Sequence, residues 1–166
     1  METQKAIDIL KQAILLEKRG YSFYSTVAAQ CKDEDVKKIF LTMADEETMH
    51  VKFLSEQFSH YDKTHSFLKV TAPSGADDAS DHILSQEVKN KIAAAGFEAA
   101  AISAAVDFEK RAIEIYAGRA AATDDPFEKE LYTFLSDWEK THLKILSDLD
   151  NELKEKVWFD NQFWPF

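Results

Sequence analysis

Glu47 and His50 stand three residues apart in Asp45-Glu46-Glu47-Thr48-Met49-His50. Glu139 and His142 stand three apart in Asp137-Trp138-Glu139-Lys140-Thr141-His142, an offset of 92 residues. The same offset carries Glu17-Lys18-Arg19 onto Glu109-Lys110-Arg111 and Tyr24 onto Tyr116. Laying residues 13–55 over 105–147 without a gap gives 15 identities in 43 positions, every one of those Glu and His residues among them. Shared helical composition does not produce such a match, because the matched residues are the costly ones to place in a helix core. The chain must therefore fold as two alike halves, each presenting one Glu and then a Glu-x-x-His.

The halves read as helices. From Thr3 to about Gln30, Ile7, Leu10, Ile14, Tyr21, Tyr24 and Ala28 recur in steps suited to one helix face, and Glu17 falls inside that stripe. Lys32-Asp33-Glu34-Asp35 offers a turn and a cap. Beyond it Val36, Ile39, Phe40, Met43, Leu54 and Phe58 mark a second helix whose stripe holds Glu47 and His50. A third runs from about Phe97 to Ala122 through Ile102, Ala105, Val106, Ile113 and Tyr116, with Glu109 in the stripe. The fourth opens at Thr123-Asp124-Asp125-Pro126 and continues through Leu131, Leu135, Leu143, Leu146 and Leu149, with Glu139 and His142 on that face. Residues from about 59 to 95, with Pro73 and Ser74-Gly75, form a long connector in which Ile83 to Ile92 adds a short helix. A helix of about 28 residues is ~42 Å long, a span that an extended connector of this size covers. The expectation is an all-α four-helix bundle of two antiparallel hairpins joined by one crossover between the second and third helices.

At 166 residues the chain is expected to be one domain over 1–166, large enough to fold without a structural metal. Four Gly and three Pro favour helices over a sandwich or barrel. The net charge of −10 disfavours nucleic acid and anionic membranes, which need Lys and Arg at their phosphates, and suits cations. A lone Cys31 leaves no Cys-x-x-Cys pair. With no apolar leader and no 18-residue apolar run, a cytoplasmic protein is expected. The segment 157–166, with Trp158, Phe159, Phe163, Trp164 and Phe166, is expected to pack on the bundle or on a second subunit, and a homodimer is expected.

Residues three apart on a helix share a face, so the Glu and His of each Glu-x-x-His reach one centre. Glu17, Glu47, His50, Glu109, Glu139 and His142 thus bring four carboxylates and two imidazoles to the bundle core. Burying four carboxylates together is prohibitive unless cations neutralise them, and two divalent ions balance a charge of about −4. Mixed carboxylate and imidazole ligation fits iron or manganese, and the lack of thiolates argues against a soft metal or structural zinc.

These residues resemble the ligand set of the ferritin-like di-iron carboxylate proteins, in which side chains on facing helices of a bundle build the metal site. The short spacers and two repeated halves are most similar to its rubrerythrin branch. The resemblance implies two iron ions, with manganese or a mixed pair as variants. It also implies Glu17 and His50 as terminal ligands of one metal, Glu109 and His142 of the other, and Glu47 and Glu139 bridging. The implied activity is reduction of hydrogen peroxide or dioxygen, acting through the metals. Rubrerythrins append a rubredoxin-like Cys-x-x-Cys domain, which these residues lack, so an external rubredoxin-like or flavin donor is expected. They also carry an extra glutamate near the third-helix ligand, where this chain has Val106, Ala112 and Ile113. Two rivals keep the fold: an iron-binding or sequestering protein without turnover, and a structural dimer scaffold.

Other residues have plainer readings. Tyr24 and Tyr116, each two turns beyond a ligand Glu, are core tyrosines or partners of the site. Glu98 lies ~16 Å along the axis from Glu109, too far to ligate. Asp45, Glu46, Asp107 and Glu114 read as solvated faces or partners of ligands, His60, His65 and His82 as exposed, and Cys31 as an ordinary thiol. Lys18, Arg19, Lys110 and Arg111 are either retained from the duplication or paired with acids across the bundle.

Overall fold

The computed structural model describes residues 2–71, 86–92 and 96–160, with the side chains of residues 2, 3, 86–88 and 160 left aside. The helices are α1 (Glu2–Gln30), α2 (Glu34–Thr64), α3 (Gln86–Lys91), α4 (Phe97–Ala122) and α5 (Pro126–Asp160). The fold is the expected all-α, ferritin-like bundle. α1 packs on α2 and α4 on α5 as tight hairpins, while α1 meets α4 far more lightly.

The duplication extends to the caps that close the hairpins. Asp33 accepts from the backbone N–H groups of Asp35 and Val36 at 2.9 and 3.2 Å. Its counterpart Asp125 accepts from those of Phe127 and Glu128 at 2.8 and 3.0 Å. Each carboxylate satisfies helix N–H groups that would otherwise lack a partner and favours the positive end of the dipole. The second turn is braced further, since Glu128 is buried and binds the Arg119 guanidinium at 2.6 Å.

α2 runs about six residues past the expected start of the connector and ends at His65, which adopts φ 55° and ψ 30° while its N–H reaches Tyr61 O at 2.8 Å. A left-handed residue stops a helix this way, and no Gly or Pro was there to announce it. The connector then leaves along the α2 and α5 side. Leu68 exchanges two hydrogen bonds with the Gln57 amide at 3.0 and 3.1 Å, and the Val70 N–H reaches Glu130 at 3.4 Å. At the other end of the bundle Lys89 pairs with Glu152 of α5 and Lys91 with Asp35 of α2, both at 2.5 Å. The short helix expected at 83–92 is seen at Gln86–Lys91, and residues 83–85 lie outside the described ones. The opposite side, between α1 and α4, carries a groove of about 440 Å³ whose lining includes Leu16, Arg19, Phe108, Arg111 and Tyr132.

Two apolar clusters fill the bundle. One holds Val27, Phe40, Met43, Ile102, Val106, Leu146 and Leu149, the other Leu10, Leu54, Leu131, Tyr132 and Leu135. Tyr21, placed in the apolar stripe by periodicity, is 47% exposed, because the neighbouring Gly20 faces inward in its stead. Trp158 and Phe159, expected to be covered, are 59% and 72% exposed at the end of α5, and residues 161–166 lie outside the described ones. Among the described residues no helix is long and apolar enough to cross a membrane.

Candidate metal centre

Between the apolar clusters lies a layer of charge. Glu17, Glu47, His50, Glu109, Glu139 and His142 are each at most 2% exposed. Their ligating atoms form two groups, Glu17 with Glu47, His50 and Glu139, and Glu47 with Glu109, Glu139 and His142. Within each group these atoms all lie within 4.8 Å of one another. Glu47 and Glu139 belong to both.

The shared carboxylates divide their oxygens between the halves. Glu139 Oε1 lies 3.1 Å from His50 Nδ1 and its Oε2 lies 3.1 Å from His142 Nδ1. Glu47 does likewise, with Oε2 3.3 Å from His50 Nδ1 and Oε1 3.9 Å from His142 Nδ1. The other carboxylates serve one half each: Glu17 reaches His50 Nδ1 at 2.9 Å, and Glu109 lies 3.5 Å from His142 Nδ1. Both imidazoles thus aim Nδ1 inward, their rings 5.8 Å apart and nearly parallel at 21°.

Both oxygens of Glu47 and of Glu139, with Glu109 Oε2 and His142 Nδ1, make no hydrogen bond among the described residues. Buried polar atoms are nearly always satisfied, and six such atoms converging on one layer are a donor set able to hold metal cations. Hard carboxylate oxygens with two imidazole nitrogens fit iron or manganese.

The tyrosines bind across the halves. Tyr24 of α1 donates its hydroxyl proton to Glu109 of α4, and Tyr116 of α4 donates to Glu17 of α1. Each ring is fully buried and each hydroxyl sits on a candidate ligand. Burial and the Glu109 charge push the Tyr24 phenol up, so it stays a proton donor.

Gly20 makes room for this layer. A Cβ there would lie 3.0 Å from Glu47 Cδ, 3.1 Å from its Oε1 and 3.1 Å from the Phe108 ring. Its counterpart in the second half is Ala112, 2% exposed, on the face where an added glutamate would have stood. Gly20→Ala gains helix propensity of about 1 kcal/mol yet crowds Glu47. The expected outcome is a metal-free melting temperature within a few degrees of wild type, with metal affinity lowered roughly tenfold or more, read by competition with a chelator.

Without metal the layer holds protons. Burial, then the charge of Glu139, pushes the Glu47 carboxyl well up and carries Glu109 to about 7. Burial alone would depress the two imidazoles, but the carboxylates around them outweigh it and hold both protonated well above the usual histidine range. Burial would raise Glu139 as well, yet the His50 charge and the close contact with the His142 imidazolium keep it far below the usual carboxylate range. Four of these five groups therefore bind protons more tightly folded than unfolded. Their stabilisation is complete below the unfolded values, about 4.5 for Glu and 6.5 for His, and is lost as pH rises through the folded ones. Glu139 has the opposite sign and its contribution fades only in strong acid. Chelator-treated protein should therefore melt at falling temperature from pH 5 to 8, with Glu109 alone accounting for about 3 kcal/mol, while metal affinity rises over the same range as protons yield to cations.

Some residues fall elsewhere. Lys18, Arg19, Lys110 and Arg111 are exposed, as are Asp45, Asp107, Glu114 and His65, while His60 and Glu98 are half-buried. His82 lies outside the described residues. Cys31 is buried at the first hairpin and burial pushes its thiol up, consistent with an inert thiol. Glu46, for which a solvated face and a place beside the ligands were both open, takes the second: it is buried and accepts a hydrogen bond from His142 Nε2. Trp138, not singled out in the sequence, packs edge-on against His50 at 4.3 Å. The signal for both was a mismatch directly before a candidate ligand that sets a charged residue against an aromatic one, Glu46-Glu47 against Trp138-Glu139.

Comparison with known proteins agrees with this geometry. The family model described as Rubrerythrin matches residues 8–150, which spans both hairpins and all six clustered residues. No curated protein and no solved structure was found to match.

Proposed function

The chain belongs to the rubrerythrin family, and from that premise we propose that the buried layer holds two iron ions and that the protein reduces hydrogen peroxide or dioxygen with electrons from an external donor. The observation that carries the reading is the division of Glu47 and Glu139, each offering one oxygen to either half of the site. Bound iron would supply the electrons that cleave the O–O bond.

Glu17 and His50 hold one position, Glu109 and His142 the other, and Glu47 and Glu139 join them. The apolar clusters on either side exclude bulk water, which strengthens every charge interaction in the layer. Tyr24 and Tyr116 hold their own hydroxyl protons against Glu109 and Glu17 respectively, beside the layer where an oxygen atom being reduced would need one. Val106 and Ala112 close the face beside Glu109 with apolar carbon, so no further carboxylate is available there to exchange with Glu109 as a ligand.

Protein purified without oxygen should contain about two iron equivalents per chain by elemental analysis. On oxidation it should develop the near-ultraviolet charge-transfer absorption of an oxygen-bridged ferric pair. One equivalent or none after reconstitution with excess Fe(II) would refute the two-metal reading.

A further inference from the structure

The 92-residue offset lets each residue beside the site be compared with its counterpart. Ligand matches ligand, Tyr24 matches Tyr116, and Asp33 matches Asp125. Glu46 and Trp138 do not match. Glu46 reaches from α2 to the His142 ring of α5 and accepts its Nε2 proton. Trp138 reaches from α5 to the His50 ring of α2, meets it edge-on at 77°, and leaves His50 Nε2 with no partner among the described residues.

We infer that the two metal positions are unequal by construction: Glu46 is a positioning residue for His142, so the position of Glu47, Glu109, Glu139 and His142 fills first, and that of Glu17, Glu47, His50 and Glu139 fills second. This rests on the reading of the six residues as ligands. A neutral imidazole carries one N–H and one lone pair. The Glu46 carboxylate holds the Nε2 proton and the ring in one orientation, so a metal has only to displace the Nδ1 proton, and the lone pair it uncovers already faces the side of Glu139 and Glu109. No acceptor performs that service for His50, whose ring is held by packing against Trp138 and by its inward nitrogen alone. A metal entering there must select both the tautomer and the ring orientation. Partners of this kind are worth roughly 10–100-fold in metal affinity.

The experiment is an anaerobic titration of the full, metal-free chain with Co(II), followed by its visible ligand-field bands and by competition with a chelator. Wild type should load in two steps separated roughly tenfold or more, each with its own spectrum. His142→Ala should lose the tight step and His50→Ala the weak one. Glu46→Gln keeps the shape of the side chain and removes its charge. It should weaken the first step about 10–100-fold, change the spectrum of the first-bound ion and spare the second step, with the metal-free melting temperature little altered. Two equal steps in wild type, a reversed assignment in the His variants, or an equal loss at both steps in Glu46→Gln would each overturn the inference while leaving two bound metals intact. A failure of wild type to bind cobalt at all would overturn the ligand reading, and this inference with it.

Discussion

Replacing Glu47 and Glu139 together with Ala should abolish binding of both metal ions. Each position draws two of its four candidate ligands from this pair, and the double variant would leave only Glu17 with His50 and Glu109 with His142. Losing a mere partner of a ligand costs about 10–100-fold, so losing two ligands from each position should cost roughly a thousandfold or more. The wild-type chain should melt at a higher temperature with metal than without, because cations relieve carboxylate repulsion in a dry core. In the double variant that rise should vanish. Two ions retained through dialysis against a chelator would show that Glu47 and Glu139 are not the shared ligands.

The second large effect concerns electron supply. The reduced di-iron form should react once and rapidly with peroxide in stopped flow, then stop, since these residues hold no Cys-x-x-Cys centre to reset it. Adding a rubredoxin-like or flavin-based donor should convert the single event into sustained turnover, an increase of at least about a hundredfold in peroxide consumed per chain. Slow oxidation by both peroxide and dioxygen, with no donor giving turnover, would favour sequestration of iron. Many irons accumulating per assembly would point the same way.

The bundle and the clustering of its candidate ligands were legible because duplication writes them twice. A Glu or His in an apolar stripe has ordinary explanations, but the same residue recurring 92 positions later in the same stripe has few, and all six such residues are brought together. The helix ends at Gln30, Thr64 and Ala122 depended on local chemistry. Where an Asp cap preceded the next helix the sequence announced it; at His65 a left-handed residue without glycine did not. The crosswise pairing of Tyr24 with Glu109 and Tyr116 with Glu17 could not be read from periodicity, which places a side chain on a face but not on a partner across the bundle. Glu46 and Trp138 were hidden for a different reason. A search for what repeats passes over the position where the repeat breaks, and there the two halves of the site part company.

Among the described residues, the two ends of the connector bind α2 and α5. Leu68 and Val70 at one end bind Gln57 of α2 and Glu130 of α5, and Lys89 and Lys91 at the other bind Glu152 of α5 and Asp35 of α2. Polar clasps thus join α2 and α5 to the same connector at opposite ends of the bundle, and the edge between α1 and α4 carries none of these bonds. Gly20 and Phe108 stand on that edge beside Glu47, and the groove lined by Leu16, Arg19 and Arg111 leads to it. Under the function proposed above, a molecule as small as dioxygen or hydrogen peroxide would need only a slight parting of those two helices beside Gly20, where glycine alone backs the Glu47 carboxylate.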